Sequence, residues 1–186
     1  TLVTANEQTA GRGRQGREWT AAPGTSLLLS LVLHEPSEAL PLAAAVAVCE
    51  AVPVEAAIKW PNDIWVDRRK LAGILVEARP QEGWAVLGVG VNVHEAPPIE
   101  HVTSLGGALS VEELLERLLL ALDACLSRPL PEVLTAWRSR DALLGEPVRW
   151  QNGSGEGAGI DENGALLVDT ASGRVALQAG EVHLLR

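Results

Sequence analysis

Residues 54–78 read VEAAIKWPNDIWVDRRKLAGILVEA, and how they are read decides the fold. VEAAIKW (54–60) and DIWVD (63–67) are short runs rich in Val, Ile and Trp, which is the composition of strands. Pro61 and Asn62 break between them, since proline has no N–H for a ladder. Arg68 and Arg69 read as the tip of a hairpin, and KLAGILVEA (70–78) returns. Three strands in such close succession favour an α+β fold over an alternating βαβ array.

The flanking sequence extends the pattern. LVTAN (2–6) reads as a short strand, and WAVLGVGVNV (84–93) as a long one. SLLLSLVL (26–33) is nearly continuous in Leu and Val, which suits a strand buried on both faces. SEALPLAAAVAVCEAV (37–52) is an Ala-rich helix, with Ser37 a candidate cap and Pro41 fitting a first turn. HEAPPIEHVTSL (94–105) contains prolines and is irregular. In SVEELLERLLLALDACL (110–126), Ser110 is followed three residues later by Glu113, a capping-box start. LPEVLTAWRSRDALL (130–144) predicts a further helix. After Gly145 the texture changes: EPVRW, GEGAGI, ALLVDT, RVALQ and EVHLL alternate between Gly, Asn and Asp breaks, as in a small all-β barrel. The expected organisation is a mixed β-sheet with helices over residues 1–145 and a small barrel over 146–186.

Composition limits the function. The formal net charge is -9 and the pI near 4.9, which argues against a nucleic-acid surface, since such surfaces need many Lys and Arg on one face. No apolar run reaches the roughly 18 residues that span a bilayer, and no secretory signal is visible. Cys49 and Cys125 fall in helical patterns and read as buried thiols. No zinc-type Cys/His spacing occurs, so no metal site is expected and the compartment is expected to be the cytoplasm. The chain starts at Thr1 and has no Met, so an upstream part is expected to have been removed or left out. NGS at 152–154 is a turn.

Against this acidic background stands AGRGRQGREW (10–19), with three arginines and three glycines within GRGRQGR. A few arginines on a glycine loop can hold one phosphate or carboxylate even in an acidic protein. Lysine is used only twice, at Lys59 and Lys70, while arginine takes the other cationic positions. The two lysines are therefore candidates for places that need an ammonium.

EQTAGRGRQGREW (7–19), KWPNDIWVDRRKLAGILVE (59–77) and LGVGVNV (87–93), in that order and spacing, resemble the biotin protein ligases. The resemblance covers nearly the whole chain. It implies a fold like that of class II aminoacyl-tRNA synthetases and biotin ligases, followed by an SH3-like barrel. It also implies the activity: biotin and ATP give biotinyl-5'-AMP and pyrophosphate, with Mg²⁺ required but not tightly bound. The biotinyl group then passes to a lysine of a biotin carboxyl carrier protein, such as an acetyl-CoA carboxylase subunit. The implied partners include neither nucleic acid nor a membrane, and the implied state is a monomer or homodimer.

The resemblance carries residue roles. Gln8, Gly11, Arg12, Gly13, Arg14, Lys70, Gly73 and Gly90 are implied to bind biotin. Arg14, Arg17, Trp19, Asn62, Lys70 and Asn92 are implied to serve ATP or the adenylate. Lys70, Arg12 and Asp63 are implied to be catalytic, with Lys70 bridging carboxylate and phosphate and Asp63 near the acceptor amine. Lys59 supports the site. Residues 94–105 correspond to the segment over adenine, and the Arg/Gly loop is expected to order on the ligand and shield it from water. The family's upstream Ser/Thr-Thr-Asn-type segment, which binds the biotin ureido group, is expected to precede this chain. No helix-turn-helix is present, so no repressor role is implied. Lipoate and octanoyl transferases share the core but lack the GRGRxGR and KWPND…KLAGI pair. An RNA-binding module would need aromatic stacking platforms, and Phe and Tyr are absent. A C-terminal peptide-binding barrel is a third reading, though in this family such a barrel more naturally helps dock ATP or the carrier.

Overall fold

The computed structural model describes residues 1–185, so the last position of the expected second unit, Arg186, lies outside the described residues. Six strands form the first sheet: β1 (Leu2–Ala5), β2 (Ser26–His34), β3 (Ala57–Lys59), β4 (Asp63–Val66), β5 (Arg69–Arg79) and β6 (Trp84–Asn92). Their spatial order is β1-β2-β6-β5-β4-β3. Every pairing of named strands is antiparallel. Among the described residues, parallel pairing is confined to single bridges, Ile58 with Asp141 and Lys70 with Val102. The α+β reading of residues 54–78 therefore holds.

Three helices lie in this part: α1 (Leu40–Ala51), α2 (Val111–Leu126) and α3 (Leu130–Arg138). Small Ala43, Ala44, Ala45 and Ala47 let α1 pack closely, and all four are buried. Pro41 sits in the first turn as expected; Ala39 is the N-cap, and Ser37 Oγ accepts its N–H at 3.1 Å. In α2 the capping box is complete. Glu113 N donates to Ser110 Oγ at 3.1 Å, and Ser110 N donates to Glu113 Oε2 at 2.7 Å. Leu114, Leu118, Leu122 and Cys125, at helical spacing, turn inward. They meet α1 and the sheet residues Leu27, Leu29, Ile64, Ile74, Leu87 and Val89 in one core.

Four local expectations are corrected. α3 stops at Arg138 instead of running to 144, because the chain leaves the helix to pair with β3: Ile58 N donates to Arg140 O at 2.7 Å and Ala142 N to Ile58 O at 3.0 Å. β3 is three residues long instead of seven. The hairpin tip is Asp67–Arg68, both with positive φ, and Arg69 already belongs to β5. β2 is buried over its first four residues only.

The second sheet holds β7 (Pro147–Trp150), β8 (Gly153–Ile160), β9 (Leu166–Thr170), β10 (Gly173–Leu177) and β11 (His183–Leu184). Its order is β10-β9-β8-β7-β11, so among the described residues it does not close into a complete barrel. It shares the apolar core through Val148, Ile160, Leu166 and Val168, and side-chain hydrogen bonds also join it to the first unit. Trp60 Nε1 donates to Gly164 O at 3.0 Å, Arg138 donates to Ile160 O, and Arg68 grips Glu146.

Candidate active site

The first sheet has two faces. α1 and α2 cover one. On the other, strand alternation brings up Gly73 and Leu75 from β5, Gly88 and Gly90 from β6, and Leu28 and Ser30 from β2. The glycines make this face a shallow trough. The connection from β1 to β2 runs out over it, closed at its base by Gly24 N to Asn6 O at 2.8 Å.

Within that connection residues 11–19 form a small hairpin. Trp19 N donates to Gly11 O at 3.0 Å and Gly13 N to Arg17 O at 2.7 Å, with Arg12 opposite Glu18. The tip turns at Gln15 and Gly16, both with positive φ. Gly11 is buried so tightly under Trp19 O that a Cβ there would collide with it. The hairpin sets Trp19 onto the trough. A Cβ on Gly90 would lie 2.5 Å from Trp19 Cε2, and one on Gly73 would lie 3.0 Å from Trp19 Cζ3. Indole and glycines fit because side chains are absent beneath the ring. Trp19 Nε1 is buried without a hydrogen-bond partner.

Between the hairpin and the sheet lies a cavity of about 220 Å³. Gln8, Arg12, Gly13, Arg14, Arg17, Trp19, Asn62, Lys70, Gly73 and Gly90 line it, so most of the expected site residues meet in one place. Lys70 Nζ is 2.7 Å from Asp63 Oδ1 and 5.6 Å from the Trp19 ring. Asp63 is buried behind it. Arg14 Nη1 donates to Asn62 Oδ1 at 3.3 Å, and Asn62 Nδ2 to Ile74 O at 2.9 Å, which ties the loop to KWPND. Burial lowers the Arg14 pKa, and Arg17 lowers it further. Burial likewise lowers that of Lys59, whose ammonium lies 5.7 Å from the Trp65 ring.

Asn92 stands apart from the lining. It is buried, and its Nδ2 donates to Thr103 O at 2.9 Å while its Oδ1 accepts from Ser26. It pins the 94–105 segment, which then runs beside Lys70: Lys70 N donates to His101 O at 2.7 Å and Thr103 N to Lys70 O at 2.9 Å. Two carboxylates at the loop escaped the sequence reading. Glu77 holds Arg12 with both oxygens, and Glu181 from the C-terminal segment pairs with Arg17. Alternation along β5 puts Glu77 on the same face as Gly73. Nothing local in the sequence marks Glu181.

The model of the biotin/lipoate A/B protein ligase family matches residues 1–93, half of the chain. The chain belongs to the biotin protein ligases. The model of the biotin protein ligase C-terminal domain matches residues 143–185. The biotin–[acetyl-CoA-carboxylase] ligase of Mycobacterium tuberculosis is 35% identical, covering all of this chain and 79% of that protein. The enzyme of the same name from Paracoccus denitrificans is also 35% identical over 97% of this chain and 88% of its own length. Among solved structures, the Aquifex aeolicus biotin protein ligase in complex with biotin and ATP superposes with a TM-score of 0.86. It is 29% identical and covers all of this ligase and 88% of that chain.

Proposed function

We propose that this ligase joins biotin to ATP in the cavity beneath the 11–19 hairpin and then passes biotin to a lysine of a biotin carboxyl carrier protein. The observation that carries the reading is the meeting of Lys70, Arg14 and a glycine floor at one cavity, with Asp63 held against Lys70, in a chain of this family. Two anions must meet there, the biotin carboxylate and the ATP α-phosphate. Their mutual repulsion is offset by Arg14 and by the Lys70 ammonium, both held in a partly desolvated place where charge acts strongly.

The carboxylate oxygen bonds to the α-phosphorus as the bond to the β-phosphate bridge breaks, and pyrophosphate leaves. Lys70 sits where a point charge with three donors can touch oxygens of both groups. In the second step the acceptor amine bonds to the acyl carbon, AMP leaves, and Asp63 orients the amine. Gly73 and Gly90 floor the biotin slot once the Trp19 ring, which lies on them, swings aside to wall it, and Gln8 and the main chain of Gly11–Gly13 border it. Arg17 and Asn62 serve the phosphates, and Asn92 acts through the segment it pins. Mg²⁺, brought by the ATP phosphates, would offset their charge, and Asp63, which lies against Lys70, is the carboxylate that would hold it. Among the described residues no three His, Cys, Asp or Glu cluster as a metal site, and no helix is long and apolar enough to cross a membrane.

The reading further takes residues 1–145 as the catalytic unit, 146–186 as a separate unit, the cytoplasm as the location and a monomer or homodimer as the working state. The carrier acceptor is supported by the names of the relatives. The test is to mix the protein with biotin, ATP and Mg²⁺ and search for biotinyl-AMP by mass spectrometry. Absence of that species, with an authentic standard detected in the same matrix, rejects the reading.

A further inference from the structure

Arg12 and Arg14 are two residues apart on the same hairpin and have different partners. Arg14 points to Asn62, at the Lys70 end of the cavity. Arg12 spreads its fork over Glu77, Nη1 to Oε1 at 3.1 Å and Nη2 to Oε2 at 2.9 Å. Glu77 lies on β5 four residues beyond Gly73 and on the same face, which places it on the order of 13 Å along the strand. We propose that Glu77 is a positioning residue for adenylate formation and retention, and that the Arg12 guanidinium is the anchor it holds instead of a contact to the reacting anions. This rests on the reading of the cavity as the biotin and ATP site.

Geometry supports it in two ways. The bidentate pair takes both Nη groups at the tip of the guanidinium and sets Glu77's charge directly against it, so much of its pull on an incoming carboxylate or phosphate is already taken up. The pair also acts at the right lever. Arg12 faces Glu18 across the hairpin, between the hydrogen bonds that join Gly11 to Trp19 and Gly13 to Arg17. Fixing Arg12 therefore fixes the ring that lies on Gly73 and Gly90, and the turn that carries Arg14. A loop with three glycines has much backbone freedom to lose, so one such anchor changes how long it stays closed. The side chains of Arg12 and Glu77 are 72% and 45% exposed, so the pair adds little to global stability, and its removal leaves a folded protein to measure.

The experiment compares Glu77→Gln, Arg12→Gln and the exchanged pair Arg12→Glu/Glu77→Arg. Three quantities are read: the lifetime of bound biotinyl-AMP, the KM for biotin against kcat, and hydrogen exchange at the Gly13 and Trp19 amides without ligand. Each single variant is expected to shorten the lifetime by about two- to fivefold, the range of an exposed ion pair. Each is also expected to raise KM more than it lowers kcat and to speed exchange at both amides, and the exchanged pair is expected to recover part of each loss. Parental lifetime and exchange in Glu77→Gln would overturn the proposal. So would an exchanged pair that binds the adenylate worse than either single variant while its amides are protected, because Arg12 would then be touching the ligand. If the parent makes and binds no biotinyl-AMP, the functional reading is what has failed. The exchange rates alone then decide whether Glu77 anchors the hairpin.

Discussion

β5 and β6 present two faces made from the same residues in alternation, and the two faces follow opposite rules. Toward the helices stand Ala72, Ile74, Leu87, Val89 and Val91, all buried, filling the space against α1 and α2. Toward the hairpin stand Gly73, Gly88 and Gly90, with Lys70 and Glu77 near either end. One face gains stability by excluding every void. The other gives up side chains to make a void, and lines it with charge. GVGVNV encodes both faces at once, since its valines and glycines point opposite ways.

The largest effect expected from this contrast lies on the charged face. In Lys70→Arg the charge is kept, but the guanidinium is wider than the ammonium that now reaches Asp63 at 2.7 Å. A displacement of about 1 Å between reacting groups costs roughly a hundredfold in rate. Adenylate synthesis should fall by about that factor while the thermal midpoint holds, and transfer from chemically supplied biotinyl-AMP should fall much less. Near-parental synthesis would show that Lys70 is one charge among several and not a shaped contact.

Next comes a pair of substitutions three residues apart on one strand. Gly90 has no positive φ, so Gly90→Ala asks nothing of the backbone, but its Cβ meets the Trp19 indole. Biotin binding should weaken by about tenfold to a hundredfold, the equivalent of roughly 1–3 kcal/mol of overpacking. Stability should fall by no more than about 1–3 kcal/mol, and by less if the Trp19 hairpin lifts off the sheet to relieve the clash. Leu87→Ala, on the fully buried face, should differ in binding. It should cost about 2–5 kcal/mol of stability while the protein that remains folded binds biotin normally. Calorimetry and chemical denaturation on both variants check it. A Leu87→Ala variant that loses affinity along with stability would show that the faces are coupled through the strand.

The same contrast explains what could be read in the sequence. β5, β6 and α2 were legible because their signals are local: alternating apolar runs, and Ser110 three residues before Glu113. The cavity was legible as a set of residues through the resemblance of the Arg/Gly loop, KWPND and KLAGIL to one family. What was not legible depends on distant partners. The end of α3 is set by Ile58, about eighty residues earlier in the chain. Arg12 and Arg17 read alike in GRGRQGR, yet one is held by Glu77 on β5 and the other by Glu181 from the C-terminal segment. No periodicity announces a partner 65 residues away.

The smallest effect expected is on the helix-covered face, where a titrating group tests how dry that side is. Burial pushes the Cys49 thiol up to about 12, with Glu50 pushing the same way and Arg140 opposing. Cys125 on α2 is raised to about 11, again first by burial. A thiol reacts as its thiolate, so neither cysteine should be alkylated by iodoacetamide at pH 8 in the folded protein, and both should be in urea. The sign of the stability effect follows. The unfolded chain releases these protons near 9.0 and the folded chain releases them later, so unfolding is favoured as pH rises through that interval. For Cys49 alone, stability should fall by about 1 kcal/mol between pH 9 and pH 10. Burial lowers the Lys59 pKa, which contributes a slope of the opposite sign, so the measurement is the difference between parent and variant. Cys49→Ala leaves a small cavity and so starts lower at pH 8, but its curve should be flatter between pH 9 and pH 10, and Cys49→Ala/Cys125→Ala flatter still. If parent and double variant run parallel, both thiols ionise in the folded state as they do in water, and this face of the sheet is as wet as the cavity on the other side.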